Sequence, residues 1–551
     1  MSFKLLLGLA AALVLADLAN SQVLPPPPPP PAGNPITQAK INLGKTLFWD
    51  EQLSSTNTTA CGTCHIPSFG GSDPRTQSQP TASRHPGFDN LFQTPDDVLG
   101  SPGVARGTST DTFTLDPSFR MRPQVTPRRS MSMLNSVYSP LLFWDGRADG
   151  TFEDPVTGAL LLNGGAALES QAAGPVASSV EMGHDGVDWS SVAARLAPLT
   201  PLRLSPSVPA QLANYINGRT YPQLFAEAFG DAQVTPARIA MAIATYERIL
   251  VANQAPVSLP LGSPGSQLTP QEAAGRQIFN GPGRCNVCHG GPLLSDNQFH
   301  YTGVRPQFED LGRFEVTGVQ GDRGRMRTPS LLNVELRAPY FHNGSAATLE
   351  EVVEFYDRGG DFNAPNKALA VAPIGLTQQQ KAALVAFLRR PLNDPRVANE
   401  SAPFDRPQLY SESARTPDVV GAATAGAGGI APQIFALEPP AIGNTSWTVG
   451  LDRGNGGRTA VLLVGPVGSH LATPFQGAQL YVAWNHPLTQ RLRYGALNGV
   501  GAGQGWASMN VDIPYDPLLI GTPLYAQWVV VDPDGLGRRL AASAAVEMSI
   551  F

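Results

Sequence analysis

Apolar residues recur at helical spacing through the first two thirds of the chain. Ile36, Ala39, Leu43 and Leu47 fall on one face, and Asn34-Pro35 before them reads as a helix start with proline at its first position. Thr235-Pro236 caps a segment that carries Ile239, Ile243, Tyr246 and Leu250. Thr269 and Glu272 form a capping box. Thr348 and Glu351 open another helix, stopped near Gly359, and Thr377 with Gln380 opens one that runs to Leu388. Residues 65–126 have no such period; they are rich in Gly, Pro, Ser, Thr and Asp and read as a long surface loop, a lid or a docking feature. Beyond about Asp394 the period shortens. Residues 447–451, 460–464, 479–484, 509–513 and 524–531 are β-type runs punctuated by turn formers, the pattern of an antiparallel sandwich. The expected fold class is mainly α, with a C-terminal all-β sandwich-like domain at 396–551.

The N-terminus adds a targeting element. Lys4 precedes an apolar run at 5–15, and small residues Ala19 and Ser21 are spaced for cleavage before Gln22. Residues 1–21 read as a signal peptide, and no later stretch reads as a membrane span, which predicts a periplasmic or secreted protein. Residues 22–35 form a Pro-rich linker. Its unbroken proline run at 25–31 predicts a stiff polyproline spacer holding the body away from the processed terminus. With 551 residues the chain is long enough for two or three domains. A net charge of −6 argues against nucleic acid and leaves room for a basic redox partner.

An exported chain ordinarily uses its cysteines for disulfides. The four here all lie in two Cys-x-x-Cys-His motifs, Cys61-Gly62-Thr63-Cys64-His65 and Cys285-Asn286-Val287-Cys288-His289. Two thiols add to the two vinyl groups of one haem, and the adjacent histidine becomes the proximal ligand of its iron. A four-thiolate zinc site would leave both histidines as coincidence, and a redox dithiol calls for a βαβ setting rather than helices. The motifs therefore predict two covalently bound haem c groups. Helix, haem motif, loop and helix occur twice, which predicts a first haem domain at 36–265 and a second at 266–395.

Several further segments occur in one order: LGKTLFWDEQLSSTNTTACGTCH, FWDGRA at 143–148, GPVASSVEM at 174–182, RCNVCHG, and RTPSLLNVELRAPYFHNGSAATLEEVVEFY at 327–356. Over about 33–392 the chain resembles the bacterial di-haem cytochrome c peroxidase family, MauG-like members included. The resemblance implies two cytochrome c-like domains, a first haem that reacts with peroxide, and a second that relays electrons. It implies an open face lined by Gln171, Pro175 and Glu181, with Glu181 moving the proton, and it places Trp144 between the haems. Asp145 and Arg147 are expected to hold the turn. The second haem would take His289 below and, where ordinary peroxidases have Met, Tyr356; Met326 competes as ligand. A phenolate is a harder donor than a thioether and favours the more oxidised iron.

Two departures from the family pattern stand out. No histidine matches the one that caps the first iron in many members; Met121 and His85 are the nearest candidates. Arg129 stands where the family has a calcium-ligating Asn, and a cation does not ligate calcium, which argues against that ion although carbonyls near Thr328 and Pro329 remain. His184, His300 and His342 are expected to be structural, and His470 and His486 to lie on the surface. The leading expectation is a peroxidase that draws electrons from a small exported cytochrome or copper protein to reduce hydrogen peroxide. A MauG-like oxidase that modifies a partner protein through a high-valent di-haem state is the second. A non-enzymatic electron-transfer cytochrome is the third, and a haem-based sensor the fourth.

Overall fold

The computed structural model describes residues 23–108, 112–533, 537 and 539–551. The signal-peptide segment lies outside the described residues. Composition is mixed, at 26% helix and 21% strand, so the mainly α expectation is corrected. Among the described residues the helices are short, none exceeding the 12 residues of Pro236–Glu247, and strands dominate after residue 418.

Two helix pairs anchor the N-terminal region. Gln38–Phe48 crosses Pro236–Glu247, and Pro270–Asn280 crosses Gln378–Leu388. Each crossing is closed by a glycine. A Cβ on Gly44 would lie 1.9 Å from the Ala242 carbonyl oxygen, and one on Gly275 would lie 2.0 Å from that of Ala383. The first pair sits in an apolar core with Leu47, Trp49, Phe225 and Tyr246. The second sits in a separate core with Phe279, Leu349, Val353 and Phe387. Residues 397–409 then return to the first core through Val397, Phe404 and Leu409. Thr235, Thr269, Thr348 and Thr377 cap their helices as the sequence implies. The first helix instead starts at Thr37, whose hydroxyl accepts from the Lys40 N–H. Asn34 is buried three residues earlier, where its amide donates to Glu169 and its Oδ1 accepts from Lys40.

The repeat runs deeper than the haem motifs. Residues 129–148 align without a gap on 327–346, pairing Arg129 with Arg327, Asn135 with Asn333 and Trp144 with His342. Asn135 and Asn333 share a left-handed backbone, as do Phe143 and Phe341. The two copies face each other and exchange hydrogen bonds reciprocally. The Arg129 N–H donates to the His342 carbonyl, and the Arg327 N–H donates to the Trp144 carbonyl, both at 2.8 Å. Arg128 reinforces the joint, binding Asp145 in its own half and Asp310 and Glu315 in the other.

The proline run is not a free spacer. Pro31 is buried, the Tyr138 hydroxyl donates to the Pro25 carbonyl, and Leu24 packs on the second core. Extended proline exposes carbonyls and offers no N–H, so it lies along a surface that supplies donors.

The C-terminal region is antiparallel β, in three layers rather than two. A five-stranded sheet, ordered Gln490–Ala496, Thr459–Gly465, Pro523–Val531, Leu540–Ser549 and Asp418–Val420, forms the middle. Gln433–Phe435, Trp447–Gly456 and Gly501–Val511 cover one face, burying Leu462 and Trp528. The hairpin Gly468–Phe475 and Ala478–Val482 covers the other, burying Leu463 and Val529. Burial of both faces explains why the central strands read as continuous apolar runs.

The glycine crossings are testable. Gly44→Ala forces the first helix pair apart, and overpacking of this kind costs about 1–3 kcal/mol or more. Chemical denaturation is expected to show at least that loss, whereas Gly457→Ala, where a Cβ meets nothing within 4 Å, costs only the strain of its positive φ.

Candidate functional site

The first motif forms a single helical turn, Cys61–Cys64, which places both sulfurs on one side. His65 follows directly, and its Nδ1 lies 3.1 Å from the Gly71 carbonyl. The second motif forms a 3₁₀ turn at Cys285–Val287, and His289 Nδ1 lies 2.9 Å from the Leu294 carbonyl. In both, a carbonyl holds Nδ1–H, so the neutral ring keeps a lone pair on Nε2 for a metal. Burial pushes the thiols up, to about 12 for Cys64 and Cys285 and about 11 for Cys288. No disulfide joins the four sulfurs.

Cys61, Cys64 and His65 open onto a cavity of about 810 Å³. Gln171, Pro175, Glu181, Trp144 and Arg147 line it too, so the structure brings the sequence-predicted residues to one place. Gln171 projects from the helix Ala167–Ala172, Pro175 begins the 3₁₀ turn Pro175–Ala177, and Glu181 follows in the next turn. Burial raises the Glu181 carboxyl above the usual carboxylate range; the Ser178 hydroxyl and the Arg147 charge oppose this and do not overcome it. A second, narrower cavity of about 210 Å³ holds Cys285, Cys288, His289, Tyr356, Met326 and His300. Tyr356 lies on the helix Leu349–Asp357, packed on Phe341 and Phe355, and burial pushes its phenol up. Met326 lines the same space, so both ligand candidates stay in contention.

One wall serves both cavities. Arg129, Met131, Trp144, Asp310, Arg327 and His342 face each of them. The Trp144 indole N–H donates to the Arg129 carbonyl at 2.8 Å, and the Trp144 ring meets the His342 ring edge-on at 6.2 Å. Asp145 accepts from the Arg147 N–H and guanidinium, which holds the turn as the sequence implies. His342 is not merely structural packing at a distance: it is the counterpart of Trp144 in the repeat, and burial pushes its imidazole down to about 4, so it is neutral.

Three guanidinium groups lie buried beside this wall. Burial lowers Arg129, Arg327 and Arg337 to about 10 each, and Arg337 adds repulsion on the other two. None has a carboxylate partner among the described residues. Arg129 donates to the carbonyls of Arg337 and Pro339, and its Nε has no partner among them. Buried cations require compensating anions, and haem propionates are carboxylates. Paired thiols, a histidine oriented through Nδ1 and unpaired cations together fit a covalently bound haem.

Of the two candidates for capping the first iron, Met121 is elsewhere. It is fully buried with Ala105 and Phe113 against the C-terminal β region. His85 does line the first cavity, but its Nδ1 accepts from the Gly87 N–H. Its neutral ring therefore carries hydrogen on Nε2 and offers no lone pair there. His184 is buried against Phe113, His300 pairs with Asp296, and His470 is exposed beside Glu547.

Sequence reasoning missed Glu247. It lines the first cavity, buried, and its Oε2 has no partner among the described residues. The signal was present: Glu247 continues the Ile239, Ile243 series at four-residue spacing, which puts a carboxyl on a buried helix face.

The model of the di-haem cytochrome c peroxidase family matches residues 38–259. The methylamine utilization protein MauG of Methylorubrum extorquens is 29% identical over 379 residues, which cover 68% of this chain and 83% of that one. The cytochrome c551 peroxidase of Nitrosomonas europaea is 29% identical over 337 residues, 60% of this chain and 77% of that one. A crystal structure of a MauG-like protein associated with microbial copper homeostasis is 27% identical, covers 69% of this chain and 97% of its own, and has a TM-score of 0.49. Fold region, site and matches define a c-type haem oxidoreductase. Residues 38–259 carry the region that defines the di-haem cytochrome c peroxidase and MauG family, whose members bind two c-type haems. No helix among the described residues is long and apolar enough to cross a membrane.

Burial holds the Glu247 carboxyl at about 8, against 4.5 ordinarily. Between those values the folded chain keeps a proton the unfolded chain has lost, so the stability this group contributes falls as pH rises from about 4.5 to about 8. Glu247→Gln is expected to flatten that fall when unfolding is followed at pH 5 and pH 8.

Proposed function

We propose that the chain is an exported di-haem peroxidase that reduces hydrogen peroxide in the first cavity, with electrons relayed through the second. The first haem unit would span 36–265 and the second 266–395. The observation that carries this reading is the joint presence of Glu181 with Cys61, Cys64 and His65 around one cavity, its carboxyl raised by burial. Bound haem iron would supply the redox chemistry. The chain supplies the rest. Cys61 and Cys64 would hold the first group and Cys285 and Cys288 the second, with the Nε2 lone pairs of His65 and His289 available to their irons.

A carboxylate whose pKa burial raises is a stronger base than an exposed one, which suits it to take up a proton and hand it back. Glu181 carries a proton from one oxygen of hydrogen peroxide to the other as the O–O bond breaks; two electrons from the exported donor and two protons from solvent complete the reduction to two waters. The Gln171 amide orients the peroxide, and Pro175, which has no N–H, closes the pocket without competing for it. Trp144, on the wall common to both cavities, carries oxidising equivalents between them. An exported cytochrome or copper protein provides the electrons.

A second reading is oxidation of a partner protein, favoured by Tyr356 in the second cavity. A phenolate ligand stores oxidising equivalents better than it stores electrons. Ligation by Met326 would favour the peroxidase instead.

Stopped-flow mixing of the haem-loaded protein with hydrogen peroxide tests the main reading. Glu181→Gln is expected to slow the spectral change by roughly 10²- to 10⁴-fold, while Tyr356→Met leaves that first phase intact. Two low-spin haems inert to peroxide would identify an electron carrier instead. Intact mass should show two added haems, and Cys285→Ser with Cys288→Ser should remove one.

A further inference from the structure

The segment 66–126 connects two parts of the molecule that are otherwise far apart in sequence. Its near end lines the first cavity through His85, Val98, Ser101 and Gly103. Within it, the hairpin Pro102–Ala105 and Pro123–Val125 lies directly on the turn that carries Glu181. The Val104 N–H donates to the Val180 carbonyl at 3.3 Å, and the Gln124 amide donates to the Ser179 carbonyl at 2.6 Å. A Cβ on Gly103 would lie 2.0 Å from the Val180 carbonyl oxygen and 2.8 Å from the Glu181 Cα. One step on, the Asp185 N–H donates to the Gly107 carbonyl, and Arg106 pairs with Asp185.

The far end of the same segment is fastened to the C-terminal β region. Arg120 forms a two-pronged ion pair with Asp452, at 2.8 and 2.7 Å, and Asp452 is almost wholly buried. The Phe113 N–H donates to Ser508 Oγ at 3.0 Å. Phe113 and Met121 are buried with Phe435, Leu437 and Trp506. Gly450 leaves room for the Met121 sulfur, which a Cβ there would approach to 2.8 Å. Phe113 also meets the His184 ring edge-on at 6.3 Å, three residues from Glu181.

We propose that the C-terminal β region is a clamp that positions Glu181: by gripping Phe113, Arg120 and Met121 it presses the hairpin onto residues 178–185 and so fixes the carboxyl in the first cavity. Arg120, Asp452 and Phe113 are positioning residues, acting through the hairpin without touching peroxide. The proposal rests on the proton-transfer role of Glu181. Geometry explains why such a grip matters: the Glu181 turn has no regular secondary structure of its own beyond the preceding 3₁₀ turn, and small displacements of a proton-transfer group cost rate steeply.

The test uses the full, haem-loaded chain. Arg120→Ala is compared with Arg120→Lys and with the milder Ser508→Ala, each alone and combined with Glu181→Gln. Hydrogen exchange is expected to rise at 178–185 as well as at 106–122. The peroxide rate is expected to fall roughly 10-fold or more in Arg120→Ala, with a shifted pH profile, and to recover in Arg120→Lys. Adding Arg120→Ala to Glu181→Gln should then lower the rate no further. Faster exchange confined to 106–122 with an unchanged peroxide rate would overturn the clamp, and so would equal losses with and without Glu181. If Glu181→Gln alone leaves the rate unchanged, the proton-transfer role fails, and exchange at 178–185 by itself decides whether the grip exists. Should Arg120→Ala not accumulate, Ser508→Ala carries the same comparison.

Discussion

The architecture turns on two reciprocal backbone hydrogen bonds, from Arg129 to the His342 carbonyl and from Arg327 to the Trp144 carbonyl. Because the partners are equivalent positions of a repeat, the bonds impose an approximate twofold relation on the halves. That relation decides what lies between the cavities. Trp144 and His342 are brought ring to ring, and the side chains of Arg129 and Arg327 are carried inward with their backbones. A hydrogen bond of this kind contributes only about 1 kcal/mol. Its importance here is register: this pairing sets the Trp144 indole on the wall common to both cavities.

The electrostatics of that wall follow from desolvation. Arg128 finds Asp145, Asp310 and Glu315 and stays strongly protonated. Its neighbour Arg129 finds only carbonyls and a hydroxyl and is driven down. The two adjacent residues thus divide the labour: one joins the halves, the other keeps positive charge beside the cavities. The same desolvation acts in reverse on Glu181 and Glu247, which it holds towards the neutral acid. A site with cations at one wall and carboxyls of raised proton affinity at another suits anionic groups at the first and proton exchange at the second.

Much of this was legible in the chain because the chemistry is local. Cys-x-x-Cys-His fixes its own geometry within five residues, and threonine caps announce helix starts through their neighbours. Family resemblance then pointed to Gln171, Pro175 and Glu181, which share a cavity. What escaped depends on long-range pairing. The strand Leu540–Ser549 is rich in alanine and carries no β-type signal of its own; pairing with Pro523–Val531 makes it a strand. The strand Gly468–Phe475 is largely exposed and carries proline, so it lacks the alternation that marks strands. The segment 66–126 looked like surface because its Gly and Pro content is high. In the fold Val104, Phe113, Met121 and Val125 are buried, and a domain more than 300 residues away in sequence packs on Phe113 and Met121.

The raised thiols carry a consequence for biogenesis. A sulfur adds to a vinyl group as the thiolate, and the walls of the closed cavities keep all four sulfurs protonated. Thioether formation is therefore disfavoured once the helix pairs have crossed and the halves have joined. On the di-haem reading proposed above, attachment would therefore come while the thiols still meet solvent, before the two halves close over them.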